Sequence, residues 1–371
     1  MTKVRAFLTK YEAIFTSVIA VLLAFFVIGL ILLFSGRNPI EAFFYFFKGA
    51  FGTTTNFADT LSRITPLLIS AIGFLVGAKS GVFNVGIEGQ LLLGSMTAAV
   101  LGYTINLPKV IHLPLILIAG SLAGGLYALL PAWMKIYRGV NEILSTIMFN
   151  YPASFLTAYL VNKVLPIEGV VPASPFINET ARLTRLIPGT RLHTGIFISL
   201  AVVVVIYILI QKTSLGYEMR AVGLNQKAAR FHGIQVEKRM MLSFFLSGAL
   251  AGLAGAIEIA GVHYRYLDRF SPGYGFDSIT VALVGLLNPF GVMISSTLFG
   301  ALKTGILDMA VYTEIPRQLV TLINGIVVLF IAANSLIKTK FLKLVAGKEA
   351  EFDDAETNYV DVDPPTVDAK E

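Results

Sequence analysis

The sequence predicts an all-α fold: a polytopic transmembrane helical bundle of about ten spans, some of them broken or re-entrant. Three observations lead there. Of 371 residues, 55% are hydrophobic and only 14% charged, against roughly 25% charged in soluble domains. The mean hydropathy is +0.74. Apolar windows of about twenty residues, the length a helix needs to cross the hydrocarbon core, recur along the chain and are separated by polar, Gly- or Pro-bearing connections.

The chain opens on a basic lead, Lys3, Arg5 and Lys10, followed by an apolar run over 13–35. That run exceeds the core of a signal peptide and lacks a small-x-small cleavage pattern, so it reads as an uncleaved first span. Further windows fall at 60–78, 88–106, 111–131, 143–163, 194–211, 241–262, 290–308 and 317–336. These are nine clear spans. Residues 277–287 are apolar but short and read as a tenth span or a re-entrant half-helix. Charge favours an even count. With the basic lead in the cytosol, Lys135 and Arg138 fall inside after four crossings and the 212–239 stretch after six. The C-terminal Lys338, Lys340, Lys343 and Lys348 also belong inside. The 164–193 connection then lies outside although it carries Arg182, Arg185 and Arg191.

The net charge of +6 hides an asymmetry. Residues 349–371 hold nine acidic side chains and one Lys, which leaves 28 basic and 14 acidic side chains on residues 1–348. Two regions follow: a membrane domain over 1–348 and an acidic, disordered cytoplasmic tail over 349–371, with Pro364-Pro365, to which no chemistry is assigned. The basic excess reports cytoplasmic loops, because no basic domain stands outside the lipid; nucleic acid is not an expected partner, whereas membrane lipid is. With no Cys, disulfides and thiol chemistry are excluded, and His112, His193, His232 and His263 have no metal-ligand spacing, so no metal site is expected.

Small-residue patterns, Gly120-x-x-x-Gly124 and Gly248-x-x-x-Gly252 with Gly255 one turn on, read as close helix packing within one subunit. Two stretches interrupt apolar sequence more tellingly. In Gly81-Val-Phe-Asn-Val-Gly-Ile-Glu-Gly-Gln90, the glycines disfavour a continuous helix, and Asn84, Glu88 and Gln90 are costly in hydrocarbon unless they face a cavity or protein. The second runs from Asp268 to Pro289, with Pro272, Gly273, Gly275 and Asn288-Pro289. Phe83-Asn84 and Phe276-Asp277 sit at similar places in the two stretches, as two internally repeated halves would arrange them. A third polar cluster opens the fifth span: Glu142, Ser145, Thr146 and Asn150 share one helical side. Glu142 reads first as a cap near the cytosolic surface. For Asn150, a bond to a neighbouring helix and a place on a wet pathway are both open. Glu258, Lys303 and Asn324 are isolated polar groups in apolar sequence, with Glu258 and Lys303 a conceivable ion pair.

Between Ser214 and Phe244 lies a stretch too polar to span. It carries Arg220, Lys227 and Arg230 on a helix-compatible pattern and ends in Ala228-Ala229-x-x-x-Gly233, which reads as a docking surface for a cytoplasmic partner.

Together these strings carry a resemblance. Phe83-Asn-Val-Gly-Ile-Glu-Gly-Gln90, Asn141-Glu-Ile-Leu-Ser-Thr-Ile-Met-Phe-Asn-Tyr151, Arg220-Ala-Val-Gly-Leu-Asn-x-x-Ala-Ala-Arg-x-x-Gly-Ile234, and Gly275-Phe-Asp-Ser-Ile-x-Val-Ala-Leu283 with Asn288-Pro289 resemble an ABC-importer permease of the branched-chain amino acid and ribose permease superfamily. Within it the first two strings look most like bacterial nucleoside permeases; Phe149 and Pro152 depart from that pattern, and Pro152 invites a kink. The resemblance covers about residues 10–340. It implies a multi-pass subunit of the bacterial cytoplasmic membrane with both termini in the cytosol. It also implies a second homologous permease, ABC ATPase subunits that hydrolyse ATP, and an extracellular solute-binding lipoprotein. The chain binds no cofactor of its own in this scheme and is not an enzyme; it has no Gly-x-x-x-x-Gly-Lys-Ser/Thr loop.

The 212–240 loop becomes a cytoplasmic coupling helix, with Arg220, Gly223, Asn225, Lys227, Ala228, Ala229, Arg230 and Gly233 facing the ATPase. It resembles a Glu-Ala-Ala-x-x-x-Gly coupling motif with Lys227 in place of the Glu. A small polar solute, a nucleoside foremost, calls for apolar and aromatic walls with a few amide or hydroxyl contacts. Phe83, Asn84, Glu88, Gln90, Asn150, Tyr151 and Asp277 are the pathway candidates, and no residue is assigned catalysis. Alternatives are a ribose-type sugar permease and an ion-coupled secondary transporter with Glu88, Glu258 and Asp308 as ion sites. A channel or scaffold is a third, favoured only if no partner supports vectorial uptake.

Overall fold

A computed structural model describes residues 22–165 and 171–316, with 319, 322, 325, 326, 329 and 330. The basic lead, the start of the first span, Asn324, most of the 317–336 span and the acidic tail lie outside the described residues. By its contacts the chain divides into residues 36–320 and a second unit formed by 1–35 with 321–371. Of the second unit the clearest described element is helix α1, Leu22–Phe34, which closes on a hydrogen bond from Ser35 Oγ to the Ile31 carbonyl.

The regular elements of residues 36–320 are helices, with no strand among the described residues. Asn38 caps α2 (Pro39–Phe51), whose proline takes the first helical position, where a missing N–H costs nothing. Thirteen residues rise about 20 Å, too little to cross a core of about 30 Å. This helix was not among the nine apolar windows, because Glu41 and Lys48 divide its apolar residues. Then come α3 (Thr54–Lys79), α4 (Ile87–Thr104), α5 (Lys109–Arg138), α6 (Glu142–Tyr159), α7 (Gly195–Lys212), α8 (Ser214–Leu224), α9 (Gln226–Phe231), α10 (Val236–Glu258), α11 (Tyr274–Val284) and α12 (Pro289–Tyr312). Helices α6 and α10 each end in a π-helical turn, Leu160–Val164 and Ile259–His263.

Five helices among the described residues are long and apolar enough to cross a membrane: α3, α5, α7, α10 with its π turn, and α12. Helices α4 and α6 match α7 in length at 18 residues but carry the polar clusters. The segment read as a possible tenth span is α11, an 11-residue helix beginning three residues earlier than the apolar window.

Glycine decides the central packing. Helices α5 and α10 cross where a Cβ on Gly252 would stand 2.3 Å from the Gly120 carbonyl oxygen, and one on Gly124 would stand 2.4 Å from that of Gly248. Helix α4 joins the same crossing, since a Cβ on Gly94 would meet Gly252 at 2.4 Å. The two small-residue patterns therefore pack against each other within one chain, as van der Waals contact between helices in lipid requires.

The chain has two recognisable ends. At one, the last residue of α3 meets α8: a Cβ on Gly223 would lie 2.2 Å from the Lys79 carbonyl oxygen, and Gly81, at φ +71°, turns the chain back beside it. At the other, the 171–194 connection gathers the opposite ends of four helices. Asn178 N–H donates to the Gly102 carbonyl and Leu183 N–H to that of Ala260. His112 pairs with Thr180 Oγ1 at 2.8 Å, and Ser62 Oγ donates to the Arg191 carbonyl. Asn56 Nδ2 donates to Asp308 Oδ2 at 3.0 Å, bringing the end of α12 to the start of α3. Arg182 and Arg185 of this connection lie over Tyr264, and Arg265 lies over its Phe176.

Candidate functional site

Both broken helices begin inside the bundle, and neither has a capping side chain of its own at the N-cap residue. Gly86 and Gly273 occupy those positions, so the first backbone N–H groups of α4 and α11 need partners from elsewhere. Asn150 of α6 supplies one for α4: its Oδ1 accepts from Gly89 N–H at 2.8 Å while its Nδ2 donates to the Val85 carbonyl at 3.1 Å. Thr146, one turn earlier, accepts from Val85 N–H at 3.1 Å. Glu88 of α4 supplies the next, its Oε2 accepting from Gly275 N–H in the first turn of α11 at 2.7 Å. A carboxylate there also meets the positive end of the helix dipole. Gly275 admits it closely, because a Cβ would stand 2.4 Å from the Glu88 nitrogen. Helix α6 thus holds α4, and α4 holds α11.

Asn84 and Gln90 brace the same break from the other side. Their amides exchange two hydrogen bonds, at 2.8 and 3.1 Å, and Asn84 Nδ2 also donates to Ser247 Oγ of α10 at 2.9 Å. Both are buried and paired within the chain. Phe83 packs edge-on against Phe74 at 4.9 Å.

Glu88, Asn150 and Tyr151 open onto a cleft of about 300 Å³, completed by Leu92, Ile147, Ser154, Arg269, Ser271 and Phe276. Tyr151 is 57% exposed and forms its outer wall with Phe276. Three of the seven pathway candidates therefore meet in one cleft, whereas Phe83, Asn84 and Gln90 pack against α3, each other and α10 and are not part of its lining. Asp277, the seventh, pairs with Lys303 of α12 at 2.5 Å. The conceivable Glu258–Lys303 pair is not formed: Lys303 goes to Asp277, and Glu258 stands 3.5 Å from His263. The sequence did not name Leu92, Ile147, Ser154, Arg269, Ser271 or Phe276 as pathway residues, although Phe276 stood out beside Asp277. Ser271 has a legible signal, since its hydroxyl accepts from Gly273 and Tyr274 N–H at the start of α11.

Glu142 pairs with Lys135 at 2.6 Å across the α5–α6 turn, and Asn141, not Glu142, caps α6. Helix α6 continues through Pro152, and Tyr127 Oη donates to the neighbouring Phe149 carbonyl at 2.6 Å.

The polar stretch folds as α8 and α9, with Asn225 capping α9 through Ala228 N–H at 3.0 Å. Its underside is apolar: Val222 and Ala229 pack with Val82, Ala132, Val236, Met240 and Phe244. Ala229 faces inward, whereas Lys227, Ala228 and Arg230 are exposed. Gly233 takes φ +79° to end the turn. Arg220 donates to Gln211 Oε1, and Arg230 pairs with Glu237 of the same chain. Arg239 to Glu218, at 2.5 Å, ties α10 to α8. Gln226, Lys227, Arg230 and Phe231 line a cleft of about 340 Å³, beside which Leu224 is 88% and Phe231 92% exposed.

Comparison with known proteins gives this arrangement a context. The guanosine ABC transporter permease protein of Bacillus subtilis is 36% identical over 336 residues, covering 88% of this chain and 95% of that protein. The glucose ABC transporter permease protein of Haloferax volcanii is 33% identical over 336 residues, 87% of this chain and 88% of that one. The nucleoside ABC transporter permease protein of Lactococcus lactis is 29% identical over 353 residues, 92% and 97% of the two. The family model described as "Branched-chain amino acid transport system / permease component" matches residues 56–332. The chain is a multi-pass membrane protein and belongs to this family of ABC-transporter permease components.

Proposed function

We propose that this permease imports nucleosides across the bacterial cytoplasmic membrane. A separate ATPase would act on α8 and α9, a second homologous permease would complete the path, and an extracellular lipoprotein would deliver the solute. The observation that carries the reading is the cleft at the junction of α6, α4 and α11. It offers a carboxylate, an amide and hydroxyls between aromatic and aliphatic walls, the mixture a small polar solute requires. Broken helices whose N-termini meet inside a bundle are also where transporters commonly bind their solutes.

The rest of the proposal follows from the two ends of the fold. With α8 and α9 in the cytosol, α11 makes the eighth of ten crossings and both termini are cytosolic. Lys135 and Arg138 then lie inside, and Trp133 and Tyr137 reach the headgroup level as interfacial aromatics do. Leu224 and Phe231 are the apolar anchors for the ATPase, with Lys227 for its acidic residues. ATP is bound and hydrolysed on that partner, and this chain binds no cofactor. Residues 1–348 form the membrane domain, and 349–371 remain a cytoplasmic acidic tail.

A sugar is the second reading, favoured by the glucose permease of Haloferax volcanii at 33% identity. Nucleosides and sugars share vicinal ring hydroxyls. Uptake of labelled guanosine by cells expressing the permease with its neighbouring ATPase and lipoprotein separates the readings. Unlabelled nucleosides compete at micromolar concentration if the first holds, and free ribose or glucose competes instead if the second does. Uptake by this chain alone that an uncoupler abolishes would reject both in favour of an ion-coupled carrier.

A further inference from the structure

A second cleft, about 220 Å³, lies on the other side of the first turn of α11. Tyr274 faces it, and Phe276, two residues on, faces the cleft already described. Its lining comes from the start of α3 (Asp59, Ser62, Arg63), the end of α10 and its π turn (Glu258, Val262, His263), the connection to α11 (Phe270, Pro272) and Arg191.

Glu258 is only 3% exposed. Its Oε1 stands 3.5 Å from His263 Nε2, while its Oε2 has no hydrogen-bond partner among the described residues. A buried carboxylate oxygen without donors is costly, so at a lining position Glu258 Oε2 is available to a donor that enters the cleft. The remaining lining narrows what that is. Guanidinium donors, Arg63 and Arg191, and carboxylate acceptors, Asp59 and Glu258, line the same cleft. A hydroxyl both donates and accepts, so a vicinal pair can meet carboxylate and guanidinium together. Phe270, held edge-on to His263 at 5.3 Å and to Tyr266 at 5.2 Å, offers an apolar wall beside Pro272 and Val262. The volume falls below the roughly 300–1,000 Å³ of sites that enclose a whole drug-sized molecule. A sugar ring fits it.

We propose that this cleft is an entry subsite that binds the vicinal hydroxyls of the solute's sugar ring, with Glu258 accepting from them and Arg63 and Arg191 donating to them. The inference rests on the import reading above and adds to it where the sugar is held, before the solute passes α11.

The test measures equilibrium binding of labelled guanosine to the purified permease–ATPase complex in nanodiscs, with unlabelled guanosine and 2′,3′-dideoxyguanosine as competitors. In the wild type the dideoxy compound competes at least tenfold more weakly, the effect of losing hydrogen bonds to a charged group. In Glu258→Gln that discrimination falls to about twofold or less, and Arg191→Gln, whose side chain is exposed, reduces it in the same direction without touching the core. A purely structural role for Glu258 would lower the melting temperature and weaken both competitors equally. Equal competition by the two in the wild type, or undiminished discrimination in both variants, overturns the subsite. Should the wild type bind glucose and no nucleoside, the nucleoside reading fails, and the same comparison between methyl glucoside and its 2,3-dideoxy analogue decides the subsite. Binding of neither class overturns both.

Discussion

Asn150→Leu removes a side chain that satisfies two backbone groups at once. Gly89 N–H loses its acceptor at 2.8 Å and the Val85 carbonyl its donor at 3.1 Å, both behind a side chain that is 7% exposed. Each orphaned buried group costs about 1–3 kcal/mol, so the substitution should destabilise by about 2–6 kcal/mol. Asn150→Asp keeps the acceptor and loses only the donor, a cost of about 1–3 kcal/mol, with the added charge favoured at the start of α4. Thermal unfolding in detergent should rank wild type above Asn150→Asp and Asn150→Asp above Asn150→Leu. Solute uptake should fall in the same order, because α4's first turn carries Glu88 to α11. An Asn150→Leu protein that melts with the wild type and transports normally would refute the claim that α6 holds the broken helix.

Four further outcomes follow from the same contacts. Glu88→Ala should cost about 1.5–3 kcal/mol through the lost charged bond to Gly275 N–H and lower uptake at least tenfold, with Glu88→Gln intermediate; equal uptake by both variants would remove Glu88's role at α11. Lys303→Met leaves Asp277 without its counter-charge. At 16% and 27% side-chain exposure the loss should not exceed about 3 kcal/mol, and a double variant with Asp277→Asn should recover part of it in a melting assay. Gly223→Val drives a Cβ into the Lys79 carbonyl and should abolish ATP-driven uptake while the protein still inserts, as a membrane-fraction blot would report. Phe231→Asp, at a 92% exposed position, should change stability by less than about 0.5 kcal/mol yet abolish ATP-driven uptake; unchanged uptake would move the ATPase contact elsewhere.

Much of the bundle was legible because hydrocarbon penalises polar groups, so Asn84, Glu88, Gln90 and Asn150 stood out against apolar sequence. Their partners were not. Glu88 meets Gly275 across 187 residues of chain and Asn84 meets Ser247 across 163, pairings that no local spacing reveals. For that reason the sequence singled out Asn84 and Gln90 but not the two hydrogen bonds their amides exchange. The motif resemblance likewise set both alanines of α9 toward the ATPase, whereas Ala229 packs with Val82 and Phe244 and Ala228 alone of the pair is exposed. Asp59 and Arg63, four residues apart where α3 begins, were a readable sign of a polar surface, but the cleft exists only once α10 brings Glu258 beside them. Helix α2 gave no apolar window because Glu41 and Lys48 divide its apolar residues.

The central claim is that a partner's ATP hydrolysis drives a nucleoside through this chain. Accumulation of labelled guanosine in proteoliposomes holding the permease, its ATPase and its binding protein tests it most directly. The account predicts an internal concentration that exceeds the external one only with ATP on the ATPase side and that persists with an uncoupler present. Accumulation without ATP, collapsing when the ion gradient is dissipated, would contradict it.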